Sequence, residues 1–152
     1  MSIIEKRLTE LSIALPECPA PKAMYVPVVQ TGVLCFVSGQ LPSKNGILLK
    51  GKVGDTVSED EAVAGARDCI INALAALKYH LGDLDRITRI VKLQAFVSSA
   101  VGFDRQHIVA NGASQLLFDI FGENGRHART AVGVNQLPLD AAVEIEMIVE
   151  VR

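Results

Sequence analysis

Arg129 holds a planar, permanently charged guanidinium that can grip a carboxylate through two parallel hydrogen bonds. It stands in Ala128-Arg129-Thr130-Ala131-Val132-Gly133, just ahead of the Leu137-Pro138 turn. The run Val143-Glu144-Ile145-Glu146-Met147 follows and alternates apolar with polar residues, the pattern of a half-buried strand. Arg129 therefore opens an expected strand pair, and Glu144 puts a carboxyl on the returning strand. Together they suggest a site for a small acid with its own acid/base group. Two alternatives stand beside this one. Arg129 could pair with Glu144, Glu146 or Asp140 at an interface, as a structural ion pair. Glu144 could be a solvated carboxylate on a strand face.

His127 lies between Arg126 and Arg129. With an ordinary pKa near roughly 6.5 it is a candidate general base, or a loop histidine that shapes a cleft entrance. His80 and His107 show no ligand spacing with each other or with a cysteine, so no metal site is expected. Cys18, Cys35 and Cys69 are isolated and odd in number. Nothing resembles a secretory signal, so reduced thiols in a cytoplasmic protein are expected. No apolar run reaches the roughly 18 residues of a membrane span.

The elements that must carry these groups are legible from spacing. Ser2 can cap a helix from Ile3 to about Ala14, and Pro16, Pro19 and Pro21 then impose an extended connector. Tyr25–Gln30 and Val33–Gly39 flank Thr31-Gly32 as a hairpin, with Pro27 favouring a sheet edge. Pro42 to Val57 reads as an irregular loop. Ser58-Glu59-Asp60-Glu61 is a capping box that opens a helix ending near Leu81, with Gly82 as terminator. Ile87–Val97 is β-rich, Phe103–Phe121 is helical, and strands close the chain over 130–135 and 142–151. Asn111-Gly112 interrupts the second helical pattern, as a local irregularity or as an asparagine reaching a cleft.

This order predicts an α+β fold: a two-layer sandwich of one mixed sheet with two main helices on one face and an extra N-terminal helix. One domain over 1–152 is expected, with 1–20 as the helix and connector. Alternation places Val91, Leu93, Ala95 and Val97 on one face of the third long strand, and Ile90, Lys92, Gln94 and Phe96 on the other. The face away from the helices is mixed, and solvent exposure is its default reading. With 15 basic and 17 acidic residues, a net charge of −2, 5% aromatics and no Trp, nucleic acid is a poor partner.

In sequence order the chain shows Tyr25, Val37-Ser38-Gly39-Gln40-Leu41-Pro42, Ile71-Asn72-Ala73-Leu74, Val91 to Val97 and Asn111. Ala128-Arg129-Thr130-Ala131-Val132, Leu137-Pro138 and Val143-Glu144-Ile145-Glu146 complete the series. From about Pro21 to Arg152 it resembles the RidA/YjgF family, also called the endoribonuclease L-PSP family. The resemblance implies a chorismate-mutase-like fold and a homotrimer with ligand clefts between subunits, which would cover the mixed sheet face. It implies hydrolysis of reactive 2-imino acids, or their enamines, to 2-keto acids and ammonia, without metal or organic cofactor. By the same resemblance Arg129 binds the carboxylate and Glu144 positions water and moves protons. Tyr25, Ser38 and Asn111 line the cleft, and backbone groups around Gly39 and Ala131 meet the nitrogen or water. Departures are the Gly125-Arg126-His127-Ala128 lead-in, Ala131 where a cysteine is common, the N-terminal helix and the longer 42–57 loop. They suggest a divergent YjgF-like subgroup. The alternatives are a non-catalytic trimer that binds a keto acid and, more distantly, a ribonuclease.

Overall fold

The computed structural model describes residues 2–18 and 24–152, so Pro19 and Pro21 of the expected connector lie outside the described residues. Helix α1 (Ile3–Glu10) is capped by the Ser2 hydroxyl, which accepts from the Glu5 amide at 3.1 Å. The Asp85 carboxylate also accepts from the Ile3 and Ile4 amides, at 2.8 Å each. These contacts satisfy the orphan donors of the first turn. The helix stops four residues short of Ala14 because Ser12 turns into the left-handed region at φ 57°. That turn lets Leu11, Ile13 and Leu15 fold back onto the core.

Strands β1 (Val28–Thr31) and β2 (Leu34–Gln40) form a hairpin as expected, but it turns through Gly32-Val33, one residue beyond the expected Thr31-Gly32. The 42–57 segment corrects the sequence reading. It holds a small hairpin, β3 (Ser43–Lys44) and β4 (Ile47–Leu48), around Asn45-Gly46. Asn45 and Gly46 both have positive φ, 52° and 76°, as a two-residue hairpin turn requires. Helix α2 (Glu59–Leu81) begins at the complete Ser58/Glu61 capping box and ends at Gly82, φ 77°.

Strands β5 (Ile87–Ser98), β6 (Ala128–Val134) and β7 (Val143–Val151) complete a five-stranded sheet in the order β1-β2-β7-β5-β6. The β5–β6 pair is parallel and the others antiparallel, so the sheet is mixed. Helices α2 and α3 (Gln106–Phe121) cover one face, and the core fills the space between. Two sequence readings change here. Register shifts fall at Thr88 and Val91, so Ile90 is buried beside Leu93, Ala95 and Val97 rather than sharing the face of Lys92. An extra residue in one strand reverses the alternation beyond it. Gly112 is no local irregularity: α3 is continuous through it, and a Cβ there would strike the Val63 carbonyl of α2. The glycine is what lets the two helices approach backbone to backbone.

The second face of the sheet carries Val29, Phe36 and Val132, each at least 40% exposed, with Lys92, Gln94, Glu144 and Glu146 among them. Among the described residues no helix is long and apolar enough to cross a membrane.

Candidate functional site

Strand β6 is the sheet's edge, and its register decides where Arg129 points. Arg129, Ala131 and Gly133 stand opposite Leu93, Ala95 and Val97, the core-facing set of β5. They therefore face the helix layer, and Arg129 lies along α3. Its Nη1 donates to Asn111 Oδ1 at 2.8 Å and to Ser114 Oγ at 3.1 Å, and its Nη2 donates to the His107 carbonyl at 3.4 Å. His107, Asn111, Ser114 and Phe118 recur every three or four residues and share one face of α3. Among the described residues no carboxylate lies within ion-pairing distance of Arg129. Within the chain, the guanidinium is fixed by neutral acceptors.

His127 extends this network. Its Nδ1 lies 2.7 Å from the Gly125 carbonyl and its Nε2 lies 3.0 Å from Ser114 Oγ. A carbonyl only accepts, so Nδ1 bears the proton. Burial pushes the pKa of His127 below the ordinary histidine value. The Arg129 charge adds to that, against the opposing Gly125 bond. The neutral ring accepts the Ser114 hydroxyl proton at Nε2, and the Ser114 oxygen accepts from Arg129. One chain of bonds thus runs from the arginine through the serine to the imidazole.

These groups open on a cleft of about 280 Å³ lined by Ser114, Phe118, Gly125, Arg126, His127 and Arg129. Arg126 lies over the Phe118 ring, 5.3 Å from its centroid. Ser114, Phe118 and Arg126 were not singled out in the sequence. The available signal was the spacing of Asn111, Ser114 and Phe118 on one helical face.

Glu144 is elsewhere. Strand β5 separates β6 from β7, so Arg129 and Glu144 do not share a strand pair, contrary to the sequence expectation. Glu144 pairs with Phe96 on the sheet face away from the helices, whereas Arg129 is on the helix side. Half-burial raises the Glu144 pKa, and Glu146 two residues along the same face raises it further. Gly39 abuts the Glu144 carboxyl so closely that any Cβ would displace it. Ser38 donates to the Val26 carbonyl at 2.8 Å and borders a 360 Å³ groove with Phe36, Lys92, Gln94 and Glu146. Tyr25 is 60% exposed and borders a larger 650 Å³ hollow with Gly39, Gln40 and Asn72. Ala131 is half-buried against the core on the Arg129 side. Within one chain, then, Arg129, Asn111, Ala131 and His127 gather at the β6 edge. Glu144, Gly39, Ser38 and Tyr25 belong to the β2–β7 side.

A family model described as "YjgF/chorismate mutase-like, putative endoribonuclease" matches residues 5–151. The Trypanosoma cruzi protein TCP17 is 45% identical, over 98% of this chain and 94% of its own length. A crystal structure of a protein with unknown function from Agrobacterium tumefaciens superposes with a TM-score of 0.92 at 47% identity, covering 99% of this chain and 93% of that one. A "putative endoribonuclease" from Shewanella oneidensis gives 0.93 at 32% identity, over 97% and 99% of the two chains.

Proposed function

The chain belongs to the YjgF/chorismate-mutase-like family, and from that premise we propose that it hydrolyses 2-imino acids, or the enamines in equilibrium with them, to 2-keto acids and ammonia. The observation that carries this reading is Arg129: a guanidinium anchored on α3 by neutral acceptors, without a carboxylate partner among the described residues, at the mouth of a small cleft. Such a group binds the substrate carboxylate and so fixes the adjacent C=N carbon.

Water adds to that carbon while a proton passes to the imine nitrogen, giving a carbinolamine. The carbinolamine collapses to the C=O of the keto acid, and the nitrogen leaves as ammonia with its third proton taken from the hydroxyl. A carboxyl that takes the proton from water and returns it to nitrogen suits both steps, and one with a raised pKa is nearer the working range. Glu144 has that character. Since Arg129 and Glu144 occupy opposite sides of one sheet, the reading includes a homotrimer in which one subunit supplies the arginine and its neighbour supplies Glu144, Gly39 and Tyr25.

The test is ammonia and keto-acid release from 2-iminopropanoate and 2-iminobutanoate, generated in situ by an amino-acid oxidase or a threonine dehydratase. Arg129→Ala is expected to lower kcat/KM by roughly 100-fold or more, since two charge-assisted hydrogen bonds are worth about 1.5–3 kcal/mol each. Light scattering establishes that the variant assembles like the wild type. An inactive wild type would sink the deaminase reading for these substrates. If it still bound pyruvate saturably, a carboxylate-binding protein would take its place.

A further inference from the structure

The cleft beside Arg129 holds a second cation for which a simple 2-imino acid has no use. Arg126 and Arg129 both line it, on either side of His127, and among the described residues no carboxylate does. Each guanidinium is anchored on α3: Arg129 by the Ser114 hydroxyl, Arg126 by the Phe118 ring. Ser114 and Phe118 are four residues apart, one helical turn, so their Cβ atoms lie about 5–6 Å from one another. Carboxylate carbons in a four- or five-carbon dicarboxylate stand about 4–5 Å apart, given C–C bonds of about 1.5 Å. From these observations we propose that the cleft selects small dicarboxylates, with Arg129 holding the carboxylate next to the reacting carbon and Arg126 the distal one.

Three features support the assignment. The volume, about 280 Å³, suits a short acid rather than a long chain. Arg126 is weakly committed. Its only carboxylate among the described residues is Glu123, at 3.1 Å, with both side chains more than two-thirds exposed. Exposed pairs of that kind contribute little, so a ligand carboxylate can displace Glu123. Stacking on Phe118 also fixes the plane of the guanidinium and lowers the ordering cost when a ligand arrives. A monocarboxylate on Arg129 would leave Arg126 with only the solvent-exposed Glu123 pair. The substrate class this implies, 2-imino dicarboxylic acids, rests on the deaminase reading; the binding preference does not.

Calorimetry with the corresponding keto acids tests the preference directly. Oxaloacetate and 2-oxoglutarate are expected to bind the wild type at least roughly tenfold more tightly than pyruvate and 2-oxobutanoate. In Arg126→Gln that ratio is expected to fall to about one, and in Glu123→Gln, which removes the competing carboxylate, to widen. Equal affinities in the wild type, or a preference that survives Arg126→Gln, would overturn the proposal. Arg126 is 68% exposed at its side chain, so its loss leaves the core intact. Turnover separates the two readings: the ratio of kcat/KM for 2-iminosuccinate to that for 2-iminopropanoate should follow the binding ratio. Turnover of monocarboxylic imines without any dicarboxylate preference would sink this inference and leave the deaminase reading standing. A preference in binding without turnover of any imine would do the reverse.

Discussion

His127 takes no part in the proposed chemistry, but it sets the state of the residue that does. Its protonated Nδ1 is spent on Gly125, so Nε2 is free to accept from Ser114. Ser114 can then turn its oxygen lone pair toward Arg129. The depressed pKa preserves this order at neutral pH. The sign of the pH dependence follows. The unfolded chain takes up a proton on this ring before the native one does, so the native state loses stability as pH falls. The loss begins at the ordinary histidine value and is complete below the lowered native one. His127→Phe keeps a ring in place but removes the acceptor. At neutral pH it is expected to weaken pyruvate binding roughly tenfold, the effect of about 1.4 kcal/mol lost from the Arg129 anchor. Its Tm should also decline less steeply than that of the wild type through the mildly acidic range. Calorimetry at pH 7 and thermal melts across pH measure the two effects. A variant that binds like the wild type would show that Asn111 and the His107 carbonyl hold Arg129 alone.

The site's accuracy depends on one close helix contact. Asn111, which accepts from Arg129, is followed by Gly112, where α3 touches the Val63 carbonyl of α2. Gly112→Ala gains helix propensity yet must push the two backbones apart. The overpacking is expected to cost about 1–3 kcal/mol, a fall of roughly 2–12 °C in Tm for a chain of this size. It should weaken carboxylate binding along with stability, because Asn111 moves with its helix. Thermal melts and pyruvate titration check both, and an unchanged Tm would refute the tight contact. Much at this scale was legible from sequence. The Ser58 box, the Gly82 stop, the first hairpin and the alternation of β7 all rest on local chemistry that neighbouring residues carry. What escaped was either non-local or masked. The bulges in β5 follow from pairing with β7, and no residue type announces them. The Gly112 contact needs α2 to be in place. Asn45-Gly46 was readable as a hairpin turn, but the surrounding glycines at 51 and 54 made the whole stretch look irregular. Arg129 and Glu144 stand out in the sequence as a cation and a carboxyl on expected strands. That they face opposite sides of the sheet depends on β5 inserting between their strands, which is a property of topology.

At the scale of the molecule that insertion makes a specific claim about assembly. Half of the proposed machinery is on the helix side of the β6 edge, and half is on the uncovered face near β2 and β7. The uncovered face displays Val29, Phe36 and Val132 among polar groups, an apolar area of the kind that a subunit contact removes from water. In a cyclic trimer each cleft would take its arginine from one subunit and its glutamate from the next. Two inactive variants can then rescue each other. Arg129→Ala subunits retain Glu144, and Glu144→Gln subunits retain Arg129. Mixed, unfolded and reassembled in equal amounts, they place an intact arginine beside an intact glutamate in about one cleft in four, by the symmetry of random cyclic trimers. The expected result is roughly a quarter of wild-type deaminase activity from two parents that each have almost none. If each chain built its own site, every cleft in the mixture would still lack one group, and no activity would return. The same mixture without the unfolding step, where parents remain as separate trimers, should stay inactive. Recovery that depends on subunit exchange would therefore locate the reacting pair across the interface between subunits.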